Sequence, residues 1–229
     1  MKKNLVVLSG AGISAESGVR TFRDSNGLWE NHRVEDVASP EGFERNPQLV
    51  LDFYNERRRQ LNAVQPNEAH RLLAELEQDF NVRIITQNVD DLHERAGSSN
   101  VLHLHGELKK VRSVLPGSEP IEWNLDLNVG DTDSQGIQLR PHIVWFGEEV
   151  PEMAAAEKIV EPADMFLVIG TSLQVYPAAS LLHYIPGDCE LFVIDPHLKL
   201  NITNADNFYR TTATEGMRLL LQGLRKISN

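Results

Sequence analysis

Cysteine is almost absent from this 229-residue chain: Cys189 is the only one. A lone thiol excludes an internal disulfide and any metal site built from several cysteines, and a cytoplasmic setting is the resulting expectation. Positive charge is scarce as well. Lysine and arginine total 22 against 33 aspartates and glutamates, a formal net charge of −11. Broad binding to nucleic acid or to anionic membrane needs a positive field, so neither partner is expected. Long apolar runs are missing too, and no stretch approaches the roughly 18 residues of a membrane span. Met1-Lys2-Lys3-Asn4 faintly imitates the start of a signal peptide, but Leu5 to Leu8 is too short an apolar run and leads straight into glycine-rich chain. It reads as a first strand. There is no internal repeat and no low-complexity tract.

What remains is an ordinary globular composition, 41% hydrophobic and 24% charged. The length suits one large domain, or one domain with a small module. Short, non-alternating apolar runs at 5–8, 82–85, 165–169 and 191–194 read as parallel strands covered on both faces. Helical patterns lie between them at 47–62, 68–78, 177–183 and 214–226. Strands alternating with helices predict an α/β fold: a doubly wound, parallel, Rossmann-like sheet with helices on both faces. Two excursions break that rhythm. The expected division is a Rossmann-like part over about 1–30, 71–107 and 139–229, and a small module over about 31–70 and 108–138. A cleft between the two is a natural ligand site.

Four stretches carry chemistry. Gly10-Ala11-Gly12-Ile13-Ser14-Ala15 follows the first strand and fits the strand–G-x-G-x-x-A–helix signature of dinucleotide binding. No lysine stands where a phosphate-cradling G-K-[ST] loop needs one, which argues against an ATP-type site. Arg20 and Arg23 follow, either phosphate-binding forks or plain surface arginines. Gln87, Asn88 and Asp90 come just after the strand at 82–85, where ligands of doubly wound sheets sit. Their side chains suit hydroxyls or a carboxamide, or Asp90 or Asp91 simply caps a helix. His103 and His105 share one face of an extended segment. A metal pair lacks an evident third ligand; one of the two as a general base fits the ordinary imidazole pKa. Gly170-Thr171-Ser172 forms a second small-residue loop, and Asp195 ends the strand at 191–194 as a ribose-binding carboxylate would.

The run Gly10-Ala11-Gly12-Ile13-Ser14-Ala15-Glu16-Ser17-Gly18-Val19-Arg20-Thr21-Phe22-Arg23 closely resembles the opening motif of the sirtuins. Thr86-Gln87-Asn88-Val89-Asp90, His105-Gly106, Val144-Trp145-Phe146-Gly147-Glu148 and Gly170-Thr171-Ser172-Leu173 resemble later motifs of that family, in its order and spacing. The resemblance implies NAD as cofactor and NAD-dependent removal of acyl groups from lysines of protein or peptide substrates, releasing nicotinamide and O-acyl-ADP-ribose. By the same likeness, Gly10, Ala11, Gly12 and Ser14 hold the pyrophosphate, while Phe22 and Arg23 lie over the nicotinamide and its ribose. Gln87 binds ribose, and Asn88 and Asp90 form the nicotinamide side. His105 is the base, acting after nicotinamide has left. Gly170, Thr171 and Ser172 contact phosphate and ribose, Asp195 the adenosine ribose, and Ala213 lies near adenine. Asp195 departs from the asparagine common at this place in the family.

Val144, Trp145 and Phe146 are expected walls of a lysine tunnel, with peptide added as a strand, or else a plain core strand. Tyr54 and Arg57 share one face of a helix and resemble the Tyr-x-x-Arg subclass that prefers succinyl, malonyl or glutaryl groups, with acetyl also accepted. Arg58 and Arg59 alongside would equally suit a solvated face. Most sirtuins hold zinc with four cysteines between the His-Gly and Trp-Phe-Gly motifs; this chain has none there, so no zinc is expected. Packing through Trp123, Leu125 and Leu127 is expected to hold the module instead. An NAD glycohydrolase or ADP-ribosyltransferase on the same scaffold, or a non-catalytic NAD sensor, are the alternatives.

Overall fold

The structure, a computed structural model, describes residues 2–19, 28–29, 32–197 and 207–227. Arg20, Phe22 and Arg23 lie outside the described residues. The chain begins with β1 (Asn4–Ser9) and a short helix α1 (Ala11–Ala15). A small hairpin of β2 (Leu28–Trp29) and β3 (His32–Arg33) leads to α2 (Val34–Val37), α3 (Pro40–Arg45) and the long α4 (Pro47–Ala63). Next come α5 (Glu68–Glu75), a 3-10 turn at Leu76–Gln78, β4 (Asn81–Thr86), α6 (Leu92–Arg95) and β5 (Val101–His103). Then follow β6 (Gly106–Ser113), β7 (Ile121–Glu122), β8 (Leu139–Ile143), α7 (Met153–Val160) and β9 (Met165–Ile169). A 3-10 helix at Ala178–Tyr184, β10 (Glu190–Ile194), β11 (Phe208–Tyr209) and α8 (Ala213–Ile227) complete the described chain.

Among the described residues, six strands form one sheet in the order β11-β10-β9-β1-β4-β5, every neighbouring pair parallel. The apolar runs at its centre explain it. Leu5 and Val7 point to one face, Val6 and Leu8 to the other, and all four are buried. The first pair packs with Ile84, Leu167 and Met217, and so with α5 and α8; the second packs with Phe166, Val160 and Leu181, and so with α7 and the 3-10 helix. Each such side chain contributes about 1.5–3 kcal/mol by leaving water, and a strand buried on both faces has no reason to alternate polar with apolar.

The expected strands thus agree within one residue at each end. Two expected helices differ in type. The pattern at 68–78 tightens into a 3-10 turn after Glu75, and the one at 177–183 is 3-10 throughout, over Ala178–Tyr184. Apolar spacing cannot separate these geometries, because i, i+3 neighbours face the same way in both.

A second sheet, antiparallel and ordered β7-β6-β8, packs against α4. Residues 139–143 pair with β6, so this sheet extends past the boundary expected at 138. The means of holding the module also differs from expectation. Leu127 is buried and Trp123 packs partly beside it, but Leu125 is 75% exposed and belongs to no apolar cluster among the described residues. Polar groups of α4 grip this segment by its backbone. Asn55 receives Leu127 N–H at 2.8 Å and donates to the Leu127 carbonyl at 2.9 Å. Arg58, 1% exposed, donates to the carbonyls of Leu108 and Leu125 and to Asn55 Oδ1. Burial pulls the Arg58 guanidinium down to about 10, against the pull of Asp126. Arg59 adds an exposed ion pair to Asp126 at 2.5 Å. Consecutive turns of one helix therefore clasp the strand β6 and the 125–127 segment together.

Asn55→Ala removes a side chain that satisfies both backbone groups of Leu127 and orients Arg58. Unsatisfied buried groups each cost about 1–3 kcal/mol, so urea unfolding should show a loss of about 2–4 kcal/mol. Gln48→Ala on the same helix, where the Asp52 bond is exposed, should cost less than about 0.5 kcal/mol. Equal losses would mean that the clasp adds nothing.

Candidate active site

Chain order reverses direction in the sheet at β1. After β1 the chain proceeds outward through β4 to β5, then returns to the other side of β1 as β9. The carboxyl ends of β1 and β9 therefore flank a switch point, where open α/β sheets bind ligands. Here the two small-residue loops meet, backbone against backbone. Gly10 N donates to the Ile169 carbonyl at 3.1 Å and Gly12 N to the Gly170 carbonyl at 2.8 Å. A Cβ on Gly12 would stand 2.7 Å from Gly170 Cα. Gly170 has φ +63°, and a Cβ there would reach within 2.3 Å of Ile13 N. Only glycine lets these loops close to this distance.

Polar side chains from β1, β4 and the loops beyond them bind this seam together. Ser9 Oγ donates to Thr86 Oγ1 at 2.9 Å, and Thr86 Oγ1 receives Asn88 N–H at 3.0 Å. Asn88 Nδ2 donates to the Gly10 carbonyl and to Ser14 Oγ, both at 3.2 Å. Ser14 Oγ donates to Asp90 Oδ2 at 2.9 Å, and Gln87 Nε2 donates to Thr171 Oγ1 at 3.0 Å. Asn88, Asp90 and Thr171 are buried. Asp195, also buried, ends β10 beside this group and accepts from His197 N–H at 2.8 Å. Gly170 N in turn donates to the Ile194 carbonyl. Ala213 starts α8 and is buried against the same face as Ile13. Of the two acids proposed as helix caps, Asp90 does receive Leu92 N–H at 3.1 Å, whereas Asp91 pairs with Lys109 and Arg95.

Burial raises the Asp90 carboxyl above its ordinary value, while Leu92 N–H, Ser14 Oγ and the nearby His103 pull it back. The two histidines after β4 have matching contacts and opposite fates. His105 Nδ1 lies 3.1 Å from the Gln87 carbonyl, and His103 Nδ1 lies 3.0 Å from the Asn88 carbonyl. A carbonyl only accepts, so both Nδ1 atoms carry protons. Among the described residues nothing further is bonded to the His105 ring, and burial lowers its pKa against the pull of the Gln87 carbonyl. It is neutral near pH 7, with a lone pair at Nε2. His103 Nε2 instead faces Glu94 Oε1 at 2.7 Å, and although burial opposes charge, Glu94 outweighs it and the pKa rises. The pair does not suit a metal, because both Nδ1 atoms and His103 Nε2 are already engaged. Among the described residues no three His, Cys, Asp or Glu groups cluster around a metal position.

Beside Asp90 lies a cavity of about 70 Å³. Val19, Trp29, Leu61 and Leu108 give it apolar walls, and Tyr54, Arg57 and Gln60 supply polar ones. Tyr54 is 1% exposed; its oxygen receives Trp145 Nε1–H at 3.0 Å, leaving its own proton to donate. Burial raises this phenol well above the usual range, so it stays protonated. The Arg57 guanidinium sits 3.5 Å from the centre of the Phe53 ring and donates to the Phe53 carbonyl at 2.7 Å.

The 144–146 segment divides. Val144 N donates to the His105 carbonyl, Trp145 is buried behind Tyr54, and Phe146 is 51% exposed. None of the three belongs to a strand, since β8 ends at Ile143. Phe146 borders a second, open groove of about 550 Å³ with Val34, Glu35 and Arg45. Glu148 steadies the turn: its carboxylate accepts from Trp145 N–H at 2.8 Å and from both ends of Arg140, at 2.6 and 3.0 Å. Sequence reasoning missed Ser9 and Thr86 beneath the loops, Glu94 beside His103, and Gln60 and Trp29 in the cavity. Gln60 had a signal, one further turn along the Tyr54–Arg57 face.

The Sir2 family model matches residues 10–177. An NAD-dependent protein deacylase of Bacteroides thetaiotaomicron is 54% identical over 229 aligned residues, covering 96% of this chain and 97% of the relative. An enzyme of the same name from Helicobacter pylori is 60% identical over 197 residues, 86% of this chain and 84% of the relative. The solved complex of a Sir2 homolog with NAD superposes with a TM-score of 0.87 at 40% identity, covering 100% of this chain and 91% of that one. Matched along most of its length and folded alike, the chain belongs to the Sir2 family, the sirtuins, and is an NAD-dependent enzyme.

Proposed function

We propose that this NAD-dependent protein deacylase acts by preference on lysines carrying an acidic acyl group: succinyl, malonyl or glutaryl. The observation that carries this reading is the shared cavity of Asp90, Tyr54 and Arg57. Its walls are apolar enough for an acyl chain, and its lining includes the Arg57 guanidinium and the Tyr54 phenol. A guanidinium grips a carboxylate through two parallel N–H bonds, and a neutral acetyl group would leave that grip unused. The ring of Phe53 and its carbonyl hold Arg57 in position beforehand, which lowers the entropy lost on binding.

The residues fit NAD. The glycine seam admits a pyrophosphate close to the backbone, with Gly10, Ala11, Gly12, Ser14, Gly170, Thr171 and Ser172 around it. In this reading Gln87 and Asp195 bind ribose hydroxyls, Ala213 lies on the adenine side, and Asn88 and Asp90 serve the nicotinamide end. NAD supplies a ribose carbon open to attack once nicotinamide departs. His105 Nε2 then takes a proton from a ribose hydroxyl, and its bond to the Gln87 carbonyl fixes the tautomer that leaves Nε2 free. Val144 and Phe146 line the approach, with Trp145 behind Tyr54 as support. The peptide lies along this edge, and the acyl-lysine stem enters toward Asp90.

Arg57→Met should lower kcat/KM for a succinyl-lysine peptide by about 100-fold, the worth of a charged hydrogen bond. The acetyl-lysine value should change less than about threefold. Mass spectrometry of peptide and O-acyl-ADP-ribose reads both. An unchanged succinyl-to-acetyl ratio would sink the preference, and NAD cleavage with no peptide deacylation would favour a glycohydrolase or ADP-ribosyltransferase.

The base gives a pH prediction. His105 works when neutral, and burial lowers its folded pKa below 6.5. Base function is thus fully present above that pKa and lost as the pH falls through it. The acid limb of kcat/KM for deacylation should have its midpoint below pH 6.5. A midpoint above pH 7 would remove His105 from this role.

A further inference from the structure

His103 belongs to none of the steps above, yet both of its ring nitrogens are committed. Nδ1 faces the Asn88 carbonyl at 3.0 Å and Nε2 faces Glu94 Oε1 at 2.7 Å. Both partners are acceptors: one is a carbonyl, and the other a carboxylate whose side chain is 41% exposed. A ring that faces two acceptors is fully satisfied only when both nitrogens carry protons, and Glu94 raises its pKa against the opposing effect of burial. Its side chain is only 8% exposed.

The ring is bonded to the Asn88–Asp90 loop at the Asn88 carbonyl. Asn88 hangs from it by the main chain, and Asp90 is 7% exposed two residues further on. A buried carboxylate takes up a proton unless something opposes it. Asp90 has Leu92 N–H and Ser14 Oγ as donors, and His103 as a cation within electrostatic reach. The other groups around His103 do not supply that charge. His93 on α6 is fully buried and neutral, held by Ser9 Oγ at 2.9 Å. Glu94 on α6 and Glu107 on β6 are acids, and Asp91 is paired with Lys109 and Arg95.

We propose that His103, charged between Glu94 and the Asn88 carbonyl, is a positioning residue that fixes the Asn88–Asp90 loop and keeps the Asp90 carboxylate ionised. Glu94, outside the site, is its anchor. The inference rests on Asp90 serving the nicotinamide end, as read above, but not on the acyl preference.

The test combines NMR of the wild-type ring with His103→Gln and Glu94→Gln. His103→Gln keeps a donor toward Asn88 but removes the charge. Imidazole ¹⁵N spectra should show both His103 nitrogens protonated at pH 7.5 in the wild type, and one proton lost in Glu94→Gln. Exchange of labelled nicotinamide into NAD precedes the work of His105, so its pH profile reads the nicotinamide end. Its acid limb should move up by about half a pH unit or more in both variants. At pH 8.5 activity should stay within about threefold of the wild type. A neutral His103 ring in the wild type overturns the proposal. So does an unmoved acid limb, or an equal loss at every pH, which marks a structural role. Running acetyl- and succinyl-lysine peptides in parallel keeps this outcome separate from the acyl preference, and the NMR arm needs no turnover.

Discussion

Everything at this site depends on one close approach of backbone to backbone, where the loop after β1 meets the loop after β9. Gly12 N bonds the Gly170 carbonyl at 2.8 Å, and no side chain fits between the two loops. That contact is possible because β1 and β9 are adjacent parallel strands in strict register, Leu5 opposite Met165 through Ser9 opposite Ile169. A slip of one residue would turn Val7 and Val168 to the wrong faces, and both are fully buried. The cores on the two sides of the sheet thus hold a glycine seam to within tenths of an ångström. A polar ligand site is fixed by hydrophobic packing some distance below it.

The seam also decides where the polar side chains go. Asn88 reaches Gly10 and Ser14 because β4 lies beside β1, and Gln87 reaches Thr171 across the same gap. These bonds satisfy buried groups that would otherwise cost about 1–3 kcal/mol each. The same economy explains the two histidines. Each offers Nδ1–H to a carbonyl of the 87–88 turn, and each is largely buried. Glu94 on α6 bonds one ring and not the other, and the two pKa values move in opposite directions: up at His103, down at His105.

The sheet was readable in the sequence because its strands are buried on both faces, so the apolar runs at 5–8 and 165–169 carry no competing periodicity. The glycine loops and the 86–90 and 105–106 motifs were readable because their chemistry is local. Long-range choices were not. Leu125 and Leu127 are alike in composition, yet one is exposed and the other buried. Asn55 takes both backbone groups of Leu127, 72 residues away in sequence, and that sets which leucine turns inward. His103 and His105 are equally alike until Glu94 is placed. Trp145, expected as a tunnel wall, is held behind Tyr54 by the stacked Arg140 at 3.3 Å, a partner that only folding reveals. Phe22 and Arg23 lie outside the described residues.

A chain of net charge −11 is an unlikely host for an anionic acyl group if charge is averaged over the whole molecule. Distance resolves the conflict. Surface acids are screened beyond about 8 Å at physiological ionic strength, so most of that negative field never reaches a cavity wall. Glu56 is an acid 3.6 Å from Arg57, but its side chain is 70% exposed and water weakens the pair to about 0–1 kcal/mol. Arg57 itself is 9% exposed, where a partner at about 4 Å is worth several times more than in bulk water. Among the described residues, the cavity lining carries one buried cation, Arg57, and one acid, Asp90.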